Sequence, residues 1–482
     1  MDRPLFSVII PTRQRAETLP ACLEACLAQD FDDYEILVVD NFSTPETRAV
    51  VDAVDSDRVR YIRTDRLLAM SANWELAVRE SRGRYVTVVG DDDALMPYAL
   101  RELARLVAEH DGPPAIRWAR GIWTWPTIAV EEDANCLVLP MSRMVEWLTA
   151  KDVIAEVIAF ESNSDRLPMI YNSVVRRDLI DTLRDRCGAV FPTIYPDIYS
   201  GFALGWVAER YLSVELPMGI AGLGGRSNGV ATLMQQEDPS AIALEFNSLN
   251  RENGYLPHPR VPDLTNQPIH IVDSFEHARD RLFPDDPDLG YDRWEMTQRY
   301  LATISVTDEA MRARYRTLIS QSLIDRPDLQ ARVEEEAERH PPAPPFHFRP
   351  DRFGFDGTEL RMDTSGLGIE TVADCSRFVA RLLGVDERPV EYGLPTVHWM
   401  HLQTQAAEAR AAEAEARAET AEGRVVEAEA KGQWLRDKLA TAERRSVEAT
   451  KRLASVEKQS ATPALSRRLA RVLPRRAGRG RR

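Results

Sequence analysis

Gly90-Asp91-Asp92-Asp93 sets three carboxylates in a row directly after the apolar run Tyr85-Val86-Thr87-Val88-Val89. Adjacent like charges raise one another's pKa unless something positive sits among them. A divalent cation bridging to phosphate oxygens would supply that charge, because hard cations take carboxylate oxygens. The alternative is a polar turn that caps the helix expected from about Pro97. A second carboxylate, Asp40, follows Glu35-Ile36-Leu37-Val38-Val39. It can accept from a ribose hydroxyl or a base N–H, or it can cap the helix starting near Pro45. Ser43 and Thr44 are themselves good caps, which would leave Asp40 for a ligand. Farther on, Arg226-Ser227-Asn228 lies in a glycine-rich stretch, Gly219 to Gly229. It reads either as a loop closing over a diphosphate, a group to which arginine is suited, or as ordinary surface loop.

These residues need elements that bring them together. Residues 5–10, 35–39, 59–62 and 85–89 read as short, buried strands. Residues 16–29, 45–54 and 71–80, and a stretch from about Pro97, read as helices. Four strand–helix alternations in so short a span predict a parallel sheet covered by helices on both faces. Ligands of such sheets sit at the carboxyl ends of the strands. The polar residues collect there: Thr12, Arg13 and Arg15 after the first strand, Asp40 and Asn41 after the second, Asp91 to Asp93 after the fourth. Pro11-Thr12-Arg13-Gln14-Arg15 has neither the three spaced glycines of a dinucleotide fold nor a Gly-Lys-Ser/Thr phosphate loop. That argues against nicotinamide and flavin enzymes and against P-loop hydrolases and kinases.

Three motifs in order carry a family resemblance: Val8-Ile9-Ile10-Pro11-Thr12, then Glu35 to Asn41, then Gly83-Arg84-Tyr85 through Asp91-Asp92-Asp93 to Pro97. The first 110 residues or so resemble a family 2 glycosyltransferase of GT-A fold, an α/β architecture with a Rossmann-like parallel or mixed sheet. The resemblance fades after about residue 230. It implies inverting transfer of a sugar from a nucleotide diphospho-sugar to a glycan, lipid-linked or other hydroxyl acceptor, a hexosyltransferase-like activity. Carried over by residue, it puts Pro11, Thr12, Arg13 and Asp40 on the donor nucleotide. Asp91 and Asp93 become the ends of an Asp-X-Asp motif, with Asp93 the direct ligand of Mn²⁺ or Mg²⁺ and Asp92 near the donor ribose or sugar. The metal would neutralise the departing diphosphate. Inversion needs a general base, and the resemblance places an acidic residue at a helix start roughly 100 residues after the metal motif. Pro196-Asp197-Ile198 fits, with Asp197 as base or, alternatively, as helix cap. Asn73 and Trp74 fall near the donor, Trp74 reading better as core.

The remainder is less regular. Strands are expected near 116–120, 136–139, 171–175 and 212–216, and helices over 143–159, 178–185 and 198–210. Residues 240–335 read as mainly helical. A proline-rich linker at 340–350 leads to a small segment, 351–395, poor in apolar residues. Residues 402–460 are rich in Ala, Glu, Arg and Lys and read as a long helix, a coiled-coil candidate for self-association. The expected division is 1–235 catalytic, 236–340 helical, 341–400 linker and small segment, 401–460 long helix, 461–482 tail. Trp118, Trp123 and Trp125 read as a sugar-stacking platform or as packing; Cys22 and Cys26 read as core. His398 and His401, spaced i, i+3, lack the further ligands a metal site needs.

Among 482 residues, 61 Lys plus Arg stand against 76 Asp plus Glu, a net charge of −15. This acidity argues against nucleic acid as partner. Five scattered cysteines form no disulfide framework. No apolar run is long enough to cross a membrane, and no signal peptide is expected at Met1-Asp2-Arg3-Pro4-Leu5. A cytoplasmic protein is expected. Yet residues 463–482 carry eight Arg and no acid. Leu465, Leu469, Val472 and Leu473 share one helical face there, so the tail reads as a peripheral anchor on an anionic inner-membrane surface or as a solubilising end. The competing function is a non-catalytic glycosyltransferase-like scaffold that oligomerises through 402–460.

Overall fold

The structure, a computed structural model, describes residues 3–128, 130–225, 241–264, 266–344, 347–385, 390 and 392. Arg226 and Ser227, His398 and His401, the helix expected at 402–460 and the basic tail at 463–482 lie outside the described residues.

The first half alternates strand and helix as expected: β1 (Phe6–Thr12), α1 (Leu19–Leu27), β2 (Tyr34–Asp40), α2 (Pro45–Asp52), β3 (Val59–Arg63), α3 (Met70–Glu80) and β4 (Tyr85–Val88). β1 pairs in parallel with both β2 and β4, and β2 in parallel with β3. Both faces are covered, and the period-2 alternation of strands shows it. Val8, Ile10, Ile36 and Val38 enter one core, while Ile9, Leu37 and Val39 enter the other. Thr12 pairs with Asp40 at the carboxyl ends, so β1 and β2 deliver their polar residues to one edge.

Beyond β4 come β5 (Ala94–Leu95), α4 (Ala99–Glu109), β6 (Ala115–Thr124), β7 (Cys136–Pro140), β8 (Val145–Thr149), α5 (Ala150–Ile158), β9 (Ser173–Arg176), α6 (Arg177–Cys187), α7 (Pro196–Ala208) and β10 (Arg210–Leu223). The sheet is mixed: β9 runs antiparallel to β4 and β6, and β10 runs parallel to β6 but antiparallel to β5 and β8. Two expectations change here. The helix expected over 143–159 opens with a strand: Val145–Thr149 are spent on antiparallel pairing with β10, and the helix begins at Ala150. The glycine-rich stretch from Gly219 begins as strand, because β10 continues to Leu223 between β5 and β6.

A helical layer follows: α8 (Ala241–Glu252), α9 (Gln267–Leu282), α10 (Arg293–Ala302), α11 (Glu309–Gln321), and the short α12 (Pro327–Gln330) and α13 (Val333–Ala337). Its apolar residues join the core under α7, where Phe275 of α9 meets the Phe202 ring edge-on at 5.6 Å. The chain then returns to the sheet. β11 (Gly354–Phe355) and β12 (Glu359–Asp363) extend it, with β12 antiparallel to β7, and α14 (Val372–Leu383) lies on α1. The small segment thus builds no core of its own; Val372, Val379 and Leu383 are buried in the core that β1 shares. Among the described residues, no helix is long and apolar enough to cross a membrane.

Candidate functional site

β4 ends at Val88, and Asp91, Asp92 and Asp93 turn inward there, each less than a tenth exposed. They do not cap the following helix. α4 starts only at Ala99, its N-cap Tyr98 makes no side-chain capping bond, and its Leu100 amide donates to Gln29 Oε1 at 3.1 Å. The capping alternative for this turn therefore fails.

Asp93 is held from three sides. Its Oδ2 accepts from the Gly90 amide at 3.0 Å and from the Tyr171 hydroxyl, and its Oδ1 accepts from the Gly222 amide at 2.7 Å. Only glycine fits at 222, because a Cβ there would lie 1.8 Å from the carbonyl oxygen of Asp92. That carbonyl accepts from Trp125 Nε1 at 3.0 Å. Asp91 and Asp92 face the loop after β1. Arg15 reaches Asp92 Oδ2 at 3.4 Å and Asp91 Oδ1 at 3.8 Å, and the Arg13 amide donates to Asp91 Oδ2 at 3.4 Å. Burial pushes all three carboxyls above the usual range. Arg15 opposes this at Asp91 and Asp92, whereas Tyr171, the Gly222 amide and Arg120 oppose it at Asp93.

Part of the positive charge such a cluster needs is thus protein. Arg15 is one source. The other, Arg120 on β6, has no motif around it to mark it in the sequence. Its guanidinium bonds Asp165 Oδ1 at 3.1 Å, lies over the Tyr171 ring at 4.8 Å, and is near enough to Asp93 and Asp197 to lower their pKa. Burial works against its charge, yet the surrounding carboxylates and Tyr171 raise its pKa. Tyr171 in turn stacks on Trp74, a core residue, at 6.5 Å and 17°.

Asp197 occupies the first turn of α7, after Pro196. The N-cap is Tyr195, so Asp197 is not the cap. Burial raises its pKa, opposed by its own helix amides and by Arg120. A carboxyl of raised pKa is a stronger base when ionised. The charge of Arg120 thus acts on both Asp93 and Asp197.

Asp40 is differently placed. It is fully buried, and its Oδ1 accepts from the Ser43 amide at 2.9 Å while Oδ2 accepts from the Tyr61 hydroxyl at 2.5 Å. Thr44, the N-cap of α2, makes no capping bond, and Ser43 Oγ is spent on the Gln14 amide. The capping residues thus do not release Asp40; it is itself bonded into the turn. Pro11 and Thr12 end β1 beside it, and Arg13 reaches across to Glu245 of α8. Asn73 is buried in α3, its amide nitrogen 3.4 Å from the Val39 carbonyl. The three tryptophans are no sugar platform. Trp118, Trp123 and Trp125 are all buried, and Trp123 Nε1 bonds Thr364. Cys22 and Cys26 are buried in α1, with Cys22 Sγ 3.2 Å from the Gly90 carbonyl.

The acidic turn offers hard oxygen donors of the kind Mg²⁺ and Mn²⁺ take, and Asp93 Oδ1 keeps acceptor capacity beyond its one amide. The residues fit a cation that a diphosphate also ligates, not one caged by protein. Among the described residues, the converging group of three ligand side chains lies elsewhere, at His258, Glu276 and Asp280, and Arg260 and Arg279 already pair with its Glu276.

Comparison with known proteins agrees on the N-terminal region. Residues 7–124 match the model of glycosyl transferase family 2. A glucosyltransferase of Campylobacter jejuni, GalNAc(5)-diNAcBac-PP-undecaprenol beta-1,3-glucosyltransferase, is 33% identical over 109 residues, which cover 22% of this chain and 35% of that protein. The succinoglycan biosynthesis protein ExoO of Rhizobium meliloti is 31% identical over 100 residues, 21% of this chain and 29% of that protein. The chain spans about a third of the length of these curated relatives. Among solved structures, S. aureus TarS 1–349 aligns over 75% of this chain and 97% of its own, with 14% identity and a TM-score of 0.38.

Proposed function

We propose that this chain, whose N-terminal region is a family 2 glycosyltransferase domain with a GT-A-like fold, transfers a sugar with inversion from a nucleoside diphosphate to a hydroxyl of a glycan or lipid-linked acceptor. The observation that carries the proposal is the buried Asp91-Asp92-Asp93 turn at the carboxyl end of β4, beside Arg15 of the β1 loop and sharing Arg120 with Asp197.

The donor nucleotide would lie along the ends of β1 and β2, against Pro11, Thr12 and the backbone around Asp40. Asp40 would act there by holding the turn of Ser43. Arg13 and Arg15 would face the phosphates. Two guanidinium groups, Arg15 and Arg120, face Asp91, Asp92, Asp93, Asp165 and Asp197. That balance is negative, so an anionic diphosphate needs a further cation. Asp93 and Asp91 would hold Mn²⁺ or Mg²⁺, which, when bound, supplies Lewis-acid stabilisation of the leaving diphosphate. Asp197 would take the proton from the attacking acceptor hydroxyl as the new glycosidic bond forms. Arg120 would favour the ionised form of Asp197, against the effect of its burial. The glycosyltransferase relatives and the family match support this reading.

A thermal-shift screen of nucleotide sugars, with and without Mn²⁺, tests it, followed by turnover of the donor that binds. Asp197→Asn should leave donor binding intact and lower kcat by about 10²–10⁴-fold, the usual range for a general base. Asp93→Asn should lose the Mn²⁺-dependent part of the shift. No shift with any donor would favour the scaffold instead.

A further inference from the structure

At the end of β2 the polar side chains are spent within the fold. Asp40 is fully buried and bonded to the Ser43 amide and the Tyr61 hydroxyl. Asn41 is buried too, its amide nitrogen donating to the Leu68 carbonyl at 2.8 Å and its oxygen accepting from the Leu68 amide at 2.9 Å. The next residue, Phe42, is 45% exposed. Its backbone is left-handed, with φ at 60°, a conformation that a Cβ makes costly and that glycine takes freely. The turn uses only that backbone: the Phe42 amide donates to the Asp40 carbonyl at 3.0 Å. An exposed ring at this position therefore works against the turn, and strain of this kind gathers at functional sites. Phe160 shares the conformation, but its ring packs against the core.

Arg63, which closes β3 opposite Asp40, braces the ring. Its guanidinium lies 4.6 Å from the Phe42 ring centroid and donates to the Ser43 carbonyl at 2.8 Å. The pair makes a flat π platform, held from one side. Position selects what it takes. β4, β1, β2 and β3 are successive neighbours in the sheet. At about 4.8 Å per strand, the end of β2 stands about 10 Å from the acidic turn after β4. A diphosphate at that turn, with its ribose crossing the end of β1, carries its base to β2 and β3. The sugar to be transferred hangs from the opposite end of the diphosphate. The flat group that reaches Phe42 is thus the base.

We propose that the Phe42 ring, braced by Arg63, stacks on the nucleobase of the donor. The proposal rests on the transferase reading above, and its test separates the two. The full chain is titrated with UDP, GDP, ADP and dTDP in the presence of Mn²⁺ by calorimetry, and the nucleotide that binds best is carried forward. Phe42→Asn removes the ring and suits the left-handed backbone. It should weaken that nucleotide about tenfold or more, as expected for a lost base stack, while leaving the melting temperature unchanged or raised. A structural role for the ring would lower that temperature. Phe42→Tyr keeps the ring and should bind the nucleotide as the wild type does. Pyrophosphate, which has no base, should bind both variants as it binds the wild type. If Phe42→Asn binds the nucleotide as well as the wild type, or loses pyrophosphate to the same extent, the stack is refuted and the donor reading stands. If none of these nucleotides binds the wild type, both fall.

Discussion

The amide of Gly222 donates to Oδ1 of Asp93 at 2.7 Å, tying the end of β10 to the acidic turn after β4. The two residues are 129 positions apart. Because a Cβ at 222 would stand 1.8 Å from the Asp92 carbonyl oxygen and 2.6 Å from Trp125 Nε1, the bond exists only with glycine. Gly222→Ala should therefore push the turn away from β10, at about 1–3 kcal/mol in stability. The melting temperature should fall and Mn²⁺-dependent donor binding should be lost. A variant that kept both would show that the turn does not depend on this contact.

Much of this site could be read in the sequence, and the reason is local. The strands at 5–10, 35–39 and 85–89 are continuous apolar runs, so their ends mark the sheet edge, and Thr12, Asp40 and Asp91 follow them directly. Arg120, Tyr171 and Gly222 could not be found that way. Arg120 and Tyr171 carry no motif in their own stretches, Gly222 is one of several glycines in its own, and each acts through a partner brought close only by the mixed half of the sheet. Asp40 shows the reverse: its type and place suggested a free ligand, but its bonds to Ser43 and Tyr61 depend on β3 lying alongside β2. The strand at 145–149 was hidden for a similar reason. Val145-Glu146-Trp147-Leu148-Thr149 runs into a helical pattern without a break, and only pairing with β10 makes it strand.

Arg120 lowers the pKa of Asp197 against the effect of burial. A base works only when ionised, so turnover should fall on the acid side of its pKa. Arg120→Gln removes the opposing charge and raises that pKa. The acid limb of the kcat/KM profile should then move to higher pH, with less loss at pH 9 than at pH 6. Arg120→Lys keeps a charge and should move the limb less. A uniform loss at every pH would mean that Arg120 serves Asp93 or the fold and not Asp197.

Asp273 makes a pH prediction about stability. Burial raises its pKa from 3.8 to about 7. Between those values the folded chain holds a proton that the unfolded chain has released, so this group lowers stability as pH rises from about 4 to about 7, and the penalty is constant above. Asp273→Asn carries no such term. Its advantage over the wild type should be near zero at pH 4 and reach a few kcal/mol above pH 7, since each pKa unit is about 1.4 kcal/mol. Denaturant unfolding at both pH values measures it, and an advantage independent of pH would overturn the assignment.

The last prediction concerns the segment that returns to the sheet after the helical layer. β12 covers the open edge of β7 over Glu359–Asp363, and α14 buries Val372, Val379 and Leu383 against the core of β1 and α1. Polar contacts fix its position: Trp123 Nε1 donates to Thr364 Oγ1 at 3.0 Å, Arg143 donates to the Leu383 carbonyl at 2.7 Å, and Thr371 and Asp374 form a capping box at the start of α14. A chain ending at residue 340 would expose the β7 edge and the apolar face under α14, and a bare edge beside apolar surface favours aggregation. Such a chain should be insoluble or melt well below the full protein, even though it keeps every residue of the donor site. The point variant Val372→Asp places an unpaired charge in the same interface and should destabilise by several kcal/mol. Soluble yield and melting temperature of both would check this. If the chain ending at 340 were as soluble and as stable as the full chain, residues 351–385 would have to be an accessory segment and not part of the catalytic sheet.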